Sequence, residues 1–318
     1  MTSFTVAVAG GTGGIGRNIV NGLVQQGKHE ILILSRKSST LEIGSTSIRT
    51  IATDYSNIDG MKTILKANNI TIIISALILA SPEGSQAQLN LISAAAQSGI
   101  VKKFLPSEYG IHYTEEIVSF HPAARYWLDA ADALRKSNMQ FTRVIFGWTL
   151  DHYGLPRVHS YMKPFKYVLD FDNRKAAIPG DGEQPVSFLH TADLARYIGA
   201  LLEEDDWPEL SAFVADTLSW KEFVGIAEKV TGAKWEVKYD SVTTLEKGEA
   251  TILPQLEGAP TEADYPGMRA MISEFGLMAV RGVLDVSRLG VRNEEFPQIK
   301  PMGVEEVVEK AWGKGPGA

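Results

Sequence analysis

The chain has 318 residues, of which 44% are hydrophobic and 22% charged, and a formal net charge of −7. This length and composition suit an ordinary globular protein, either one large α/β domain or a nucleotide-binding domain with a smaller second lobe. The negative charge gives no support for nucleic-acid or membrane binding. The lack of cysteine excludes disulfides, thiolate catalysis and cysteine-ligated metals.

The expected partner is a small-molecule substrate, and no metal is expected. The protein is expected to be a monomer or a homodimer. The first strand is predicted directly after Met1, which leaves no room for a signal peptide. No apolar run reaches the roughly 18 to 20 residues that a transmembrane helix needs. These features predict a cytoplasmic protein.

A strand over residues 4–9, a glycine cluster and an amphipathic helix follow one another at the N-terminus. Gly10, Gly13 and Gly16 have the spacing of a dinucleotide-binding turn. The first allows the sharp turn, the second lets backbone N–H groups approach a pyrophosphate, and the third lets the helix pack on the strand. The helix N-terminus adds unpaired N–H donors. The residues predicted to bind the cofactor here are Gly10, Thr12, Gly13, Gly14, Ile15 and Gly16.

Residues 29–35 predict a second buried strand, and Arg36 and Lys37 follow it. Arg36 stands where an NAD-preferring fold presents an acidic residue to the ribose hydroxyls of the adenosine. Two cations at this point suit the 2′-phosphate of NADP(H) instead. A solvated basic turn would have the same composition, but the position favours NADP(H) as the cofactor.

Further strands are predicted over residues 47–52, 71–77, 103–106 and 141–145, with helices over 58–67, 85–97 and 122–136. This alternation predicts an α/β fold with a doubly wound parallel sheet. Ligands bind at the carboxyl ends of such strands. We therefore expect the cofactor site to include Ser75, Ala76, Leu77 and Ser107.

From residue 151 the alternation ends, and prolines, glycines and aromatic residues become frequent. Strands are predicted over 186–190 and 235–239, with helices over 193–204 and 220–230 and mostly helix beyond. The predicted domains are a nucleotide-binding domain of residues 1–150 and a smaller α+β lobe of residues 151–318 that binds the substrate. Some segments of this second half are expected to return to the first sheet.

Several of these stretches resemble the NmrA-like, isoflavone-reductase-like branch of the atypical short-chain dehydrogenases. The resemblance spans about residues 4 to 312, and its most specific part is the run from Lys102 to Gly110 (KKFLPSEYG). It implies a Rossmann domain, a small C-terminal substrate domain and NADPH as cofactor. Plant members reduce isoflavones, lignans and benzylic ethers, whereas other members are redox sensors that bind the dinucleotide without turning it over.

One departure from the family concerns the proton donor. The plant reductases carry a catalytic lysine early in the helix that follows the PSE(F/Y)G segment. That position falls on or near Trp127 here, and no lysine occurs between Lys103 and Lys136. Hydride transfer still needs a proton donor or an oxyanion stabiliser. Tyr126 and His121 are the nearest candidates, although Tyr126 could simply belong to an apolar helix face.

The favoured function is an NADPH-dependent reductase of an aromatic or conjugated small molecule, phenylpropanoid- or polyketide-like. The density of aromatic residues between positions 109 and 167 suits a flat substrate, but it would equally suit a core between two lobes. The alternatives are a non-catalytic NADP(H) sensor, which the missing lysine makes more credible, and a non-redox enzyme on the same fold.

Overall fold

The structure, a computed structural model, describes residues 3–256 and 267–313. The contacts between residues divide the chain into two compact units. The first consists of residues up to 145 together with 194–211, and the second of 146–193 together with the residues from 212 onward. The boundary predicted from the sequence is at residue 150, and some segments of the second half were predicted to return to the first sheet.

The elements of the first 145 residues are β1 Thr5–Ala9, α1 Gly14–Gln26, β2 Glu30–Ser35, β3 Ser39–Ile43, β4 Thr46–Ala52, α2 Ile58–Ala67, β5 Ile72–Ser75, α3 Pro82–Ser98, β6 Lys103–Leu105, α4 Glu115–Val118, a 3₁₀ turn Pro122–Ala124, α5 Arg125–Arg135, β7 Gln140–Phe141 and β8 Arg143–Ile145.

The later elements are β9 Trp148–Thr149, α6 Asp151–Gly154, β10 Leu169–Asp170, β11 Lys175–Pro179, β12 Pro185–Leu189, α7 Thr191–Leu201, β13 Leu210–Ala212, β14 Asp216–Ser219, α8 Trp220–Thr231, β15 Glu236–Asp240, α9 Val242–Glu246, α10 Met268–Val280, 3₁₀ turns Ser287–Leu289 and Asn293–Glu295, and α11 Val304–Trp312.

The first unit is built on a seven-stranded sheet with the order β3-β4-β2-β1-β5-β6-β7. All neighbouring pairs are parallel except β3 and β4, which form an antiparallel hairpin at one edge. The strand order reverses at β1, which pairs with β2 on one side and β5 on the other. This is the switch point at which doubly wound folds bind their ligands. The predicted α/β class is confirmed.

Helices cover both faces of this sheet, because each strand buries side chains on alternate sides. On one face, α2, α3 and α5 pack over Ala7, Ala9 and Ile73 in a continuous apolar core. Returning α7 is close to α1, where a Cβ added to Gly22 would lie 2.5 Å from Cβ of Ala195. The close packing of α7 on α1 therefore depends on a small residue on each helix.

Two differences from the sequence prediction concern the large sheet. No strand was predicted between residues 36 and 46, but β3 lies there, because Gly44 adopts a positive φ of 57° and turns the chain back onto β4. The predicted strand 141–145 is interrupted at Thr142, whose hydroxyl bonds that of Ser211 at 2.8 Å. Its first part joins the large sheet as β7, and its second part pairs with β13.

The second unit contains two three-stranded sheets, β10-β11-β15 and β14-β12-β9. Its core is aromatic. Tyr153 packs on Phe188 and Phe223, whose ring centroids lie 6.5 and 4.7 Å away, and Trp220 stacks on Phe223 at 14°. Much of the predicted helix beyond residue 240 is present as α9, α10 and α11, and residues 257–266 and 314–318 lie outside the described residues.

A buried carboxylate joins two segments of the second unit. Asp151 is completely buried and accepts a 2.8 Å hydrogen bond from the backbone N–H of Thr191, the first residue of α7. The hydroxyls of Thr191 and Ser160 also donate to it. The contacts of Thr191 therefore hold the start of α7 on Asp151.

Replacement of Asp151 by alanine should lower the free energy of unfolding by roughly 2–4 kcal/mol, because buried donors on Thr191 and Ser160 lose their acceptor. Chemical denaturation measures this change. Asp181→Ala, at an exposed turn carboxylate, is the matched control and should change stability by less than about 0.5 kcal/mol. Equal stability of the two variants would contradict the role given to Asp151.

Candidate functional site

The turn between β1 and α1 is held by two close backbone approaches. Gly10 has a positive φ of 75°, and a Cβ at this position would lie 2.5 Å from the carbonyl oxygen of Ala76. A Cβ on Gly16 would lie 2.3 Å from the carbonyl oxygen of Gly10. Both distances are shorter than a Cβ contact can be. The first and third glycines are therefore required by the packing of the protein itself.

Gly13 is in a different position. A Cβ built there would have only the carbonyl oxygen of Gly10 nearby, at 3.7 Å, and the backbone is extended with φ −95° and ψ 170°. Gly13 is the N-cap of α1, no side chain caps that helix end, and its first turn contains no acidic residue. The N–H groups of this turn and the positive end of the helix dipole thus form a cradle for an anion.

The other residues predicted in this loop lie around the same helix end. Thr12 is exposed, whereas Gly14 and Ile15 are half-buried within the first turn of α1. The loop is fixed to its neighbours by hydrogen bonds from Gly10 N–H to the carbonyl of Leu34 (3.1 Å) and from Arg17 N–H to the carbonyl of Gly13 (2.6 Å). An anion placed in the cradle would therefore meet a preorganised backbone.

Arg36 and Lys37 follow the carboxyl end of β2, on the same side of the sheet as the glycine loop that follows β1, and both are exposed. Neither forms an ion pair with a carboxylate in the described part of the chain. The nearby Tyr55 hydroxyl donates to the carbonyl of Leu34 at 3.0 Å. Burial raises the pKa of Tyr55, and the positive charge of Arg36 opposes that rise. Two uncompensated cations are thus available at this edge for a phosphate.

The residues predicted at the ends of β5 and β6 are connected to one another. Ser107 Oγ donates to the carbonyl of Leu77 at 2.8 Å, and Tyr109 Oη donates to the carbonyl of Ser75 at 2.9 Å. Ala76 N–H donates to the carbonyl of Ala9 at 2.7 Å, which ties this segment to β1. Ser75 Oγ is buried without a partner among the described residues. The structure therefore brings together Ser75, Ala76, Leu77 and Ser107 beside the glycine loop.

An ion pair that the sequence did not reveal fixes the segment after Ser107. Arg143 on β8 forms two hydrogen bonds of 2.7 Å with the carboxylate of Glu108, and the side chains are only 3% and 2% exposed. Burial raises the pKa of Glu108, whereas its hydrogen bonds to Arg143 lower it. The Ser-Glu-Tyr pattern of residues 107–109 marked Glu108 in the sequence as part of a specific segment. It did not identify Arg143 as the partner of Glu108, because Arg143 lies 35 residues further along the chain.

Of the two candidate proton donors, His121 lies beside a stack of aromatic rings at the start of α5, and Tyr126 directly precedes the stacked Trp127 in the chain. The rings of Tyr113 and Trp127 are 4.2 Å apart and within 12° of parallel. The His121 ring lies 6.3 Å from Tyr113 and 6.2 Å from Trp127. The position at which the plant reductases carry a lysine falls on or near Trp127, whose indole belongs to this stack.

Burial along α5 separates Tyr126 and Trp127 from the fully buried residues. The buried side chains of this helix are Ala130, Ala131 and Leu134, whereas Tyr126 and Trp127 are half-buried. Other aromatic residues of the region between positions 109 and 167 belong to the core. Tyr153 and Tyr167 in the second unit are only 2% and 3% exposed. At these two positions the aromatic density reflects packing.

The residues present fit a phosphorylated dinucleotide. The cradle at Gly13 would receive a pyrophosphate, Arg36 and Lys37 would receive a further phosphate, and the ends of β5 and β6 line the switch point of the sheet. Across residues 3–256 and 267–313, no group of three or more metal-ligating side chains is assembled. No helix in the same ranges is long and apolar enough to cross a membrane.

The chain is similar in sequence and in fold to known proteins. The model of the NmrA-like family matches residues 2–307. The chain is 33% identical to oxidoreductase swnN of Metarhizium robertsii, over 96% of this chain and 97% of that protein. Among solved structures, AtPrR2 with NADP+ and (+)-pinoresinol superimposes with a TM-score of 0.72 at 21% identity, covering 97% and 99% of the two chains. The leucoanthocyanidin reductase–NADPH complex from Vitis vinifera gives 0.72 at 19% identity, covering 96% and 98%.

Replacement of Gly13 by valine should abolish NADPH binding while the protein stays folded. The extended backbone and open surroundings of Gly13 accept a β-branched side chain, at a capping cost of about 1 kcal/mol, but the side chain would fill the cradle. Calorimetric titration with NADPH and thermal unfolding measure the two effects. Gly225→Val, at an open position of α8, is the control. Normal NADPH binding by Gly13→Val would disprove the cradle.

Proposed function

The chain belongs to the NmrA-like family, and we propose that it is an NADPH-dependent reductase of an aromatic or conjugated small molecule. The observation that carries this proposal is the open cradle at Gly13 combined with two uncompensated cations, Arg36 and Lys37. Support comes from relatives described as oxidoreductases and from the fold shared with NADP-bound reductases.

In this proposal each predicted cofactor residue has a physical role. The amides of Gly14, Ile15 and Gly16 bind the pyrophosphate, and Thr12 adds a hydroxyl at the rim of the cradle. Arg36 and Lys37 bind the 2′-phosphate, which is the difference between NADPH and NADH. Ser75, Ala76, Leu77 and Ser107 line the nicotinamide end at the carboxyl edge of the sheet.

NADPH held by these residues would supply a hydride to an electrophilic carbon of the substrate, so that negative charge would develop on the attached oxygen. The protein must then deliver one proton to that oxygen. Since no lysine occurs between Lys103 and Lys136, His121 or Tyr126 serves as the proton donor in this proposal. Both are half-buried near the start of α5.

A second candidate function is a redox sensor that binds NADP(H) without turning it over. The specific observation that favours it is the indole of Trp127, which stacks on Tyr113 on or near the position where the plant reductases carry a lysine. The deciding experiment is to saturate the protein with NADPH and record its absorbance at 340 nm with a panel of aromatic ketones, enones and benzylic ethers. Consumption of NADPH supports the reductase. Tight binding without consumption supports the sensor or a non-redox enzyme.

Replacement of Arg36 by alanine should weaken NADPH binding by roughly 10- to 150-fold, because a charge-assisted contact is worth about 1.5–3 kcal/mol. NADH binding should change little, since NADH has no 2′-phosphate. Arg288→Ala removes the same charge from an exposed position in the second unit and serves as the control. Equal affinity of the unmodified protein for NADPH and NADH would contradict the assignment.

Of the two variants His121→Ala and Tyr126→Phe, one should lower kcat by about 10²- to 10⁴-fold with NADPH affinity nearly unchanged, as expected for loss of a general acid. Stopped-flow turnover and a separate NADPH titration measure the two quantities. Full turnover in both variants would place the proton donor on another residue and leave the cofactor assignment intact.

A further inference from the structure

Tyr113 is held more firmly than its place in a connecting segment suggests. Its ring lies parallel to the Trp127 indole at 4.2 Å and 12°, which fixes the plane of the phenol. Its backbone carbonyl accepts a 3.2 Å hydrogen bond from the guanidinium of Arg143. Arg143 is itself held by the two 2.7 Å hydrogen bonds with Glu108. Ring and backbone are therefore both constrained.

This constrained residue belongs to the segment that leaves the carboxyl end of β6. The same segment contains Ser107 and Tyr109, whose hydroxyls bond the carbonyls of Leu77 and Ser75 at the end of β5. Ligands of doubly wound sheets bind at this edge. Tyr113 is thus part of a preorganised segment that starts at the proposed nicotinamide site.

The hydroxyl of Tyr113 is left available by these contacts. Tyr113 participates in the stack and in the carbonyl hydrogen bond, but its Oη has no hydrogen-bond partner in the described part of the chain. Burial and the negative charge of Glu108 both raise the pKa of Tyr113. The phenol therefore remains protonated at neutral and moderately alkaline pH and keeps its O–H as a hydrogen-bond donor.

We propose that the hydroxyl of Tyr113 donates a hydrogen bond to the substrate oxygen on which negative charge develops during reduction, and that Trp127 is its positioning residue. The proposal rests on the reductase function given above. Tyr113 keeps its proton in this role, whereas the proton that ends on the substrate oxygen comes from the separate donor, His121 or Tyr126. A preorganised donor of this kind acts because it requires no reorientation as the charge appears.

The first test is the variant Tyr113→Phe, which removes the hydroxyl and keeps the stacked ring. Loss of one oxyanion donor lowers kcat by about 10²- to 10³-fold, and NADPH affinity should stay within about twofold. Tyr239→Phe removes a phenolic hydroxyl at a half-exposed position of the second unit and should leave turnover unchanged. Unchanged kcat in Tyr113→Phe would overturn the proposal and leave the reductase function standing.

The second test does not depend on turnover. 4-Nitrophenolate is an aromatic oxyanion whose visible absorbance changes on hydrogen bonding, and it can be titrated into the NADP+-saturated protein at pH 9. We expect binding with a spectral shift, and a roughly 10- to 150-fold weaker affinity in Tyr113→Phe, because the lost hydrogen bond is charge-assisted. Equal binding by Tyr113→Phe, or no binding by the unmodified protein, would overturn the proposal. Failure of every substrate to consume NADPH would instead count against the reductase.

The positioning role of Trp127 has its own readout. Trp127→Leu removes the stack but not the hydroxyl, so kcat should fall while the KM of the substrate changes little. Trp127→Phe restores an aromatic face and should recover most of the loss. A fall in thermal stability without this difference between leucine and phenylalanine would show that Trp127 contributes to folding only.

Discussion

The approach of α1 to the end of β1 is the constraint on which the proposed site depends. A Cβ added to Gly16 would lie only 2.3 Å from the carbonyl oxygen of Gly10. A Cβ added to Gly10 would lie only 2.5 Å from the carbonyl oxygen of Ala76. No other amino acid fits at either position without displacing backbone. Because these contacts bring β1, β5 and the start of α1 together, the helix end at Gly13 opens directly onto the switch point of the sheet.

A second constraint, the ion pair between Glu108 and Arg143, acts on the segment that follows β6. A buried pair of this kind contributes little net stability, because desolvation of both charges offsets their attraction. Its consequence here is geometric. The bidentate contact fixes the segment from Ser107 to Tyr113 against β8, and Arg143 also binds the carbonyl of Tyr113. Loss of one partner would leave the other charge buried and break the contact of this segment with β8.

The sequence predicted the parts of the fold that local pattern determines. Helix α2 was expected over residues 58–67, where the structure has Ile58–Ala67. Glycine spacing and the cations after β2 likewise predicted cofactor residues, whose roles remain proposals. These features are local because capping, periodicity and turn geometry depend on residues within one or two helical turns.

Long-range pairing explains what the sequence could not supply. The interruption at Thr142 follows from its bond with Ser211, 69 residues away, and the Glu108–Arg143 pair joins residues 35 apart. The stack of Tyr113 on Trp127 depends on the path that the chain takes through α4 and the 3₁₀ turn that lie between these two residues. Composition recorded only that the region is rich in aromatic residues. It could not distinguish this half-buried stack from the core positions of Tyr153 and Tyr167.

The central claim is that the first turn of α1 binds the pyrophosphate of NADPH through its backbone amides. Hydrogen–deuterium exchange of the unmodified protein, with and without saturating NADPH, tests this directly because it reports on those amides. We predict slower exchange in peptides that cover residues 10–17 and 33–40, with little change in α8 or α11. Unchanged exchange in residues 10–17, under conditions in which calorimetry shows NADPH bound, would contradict it.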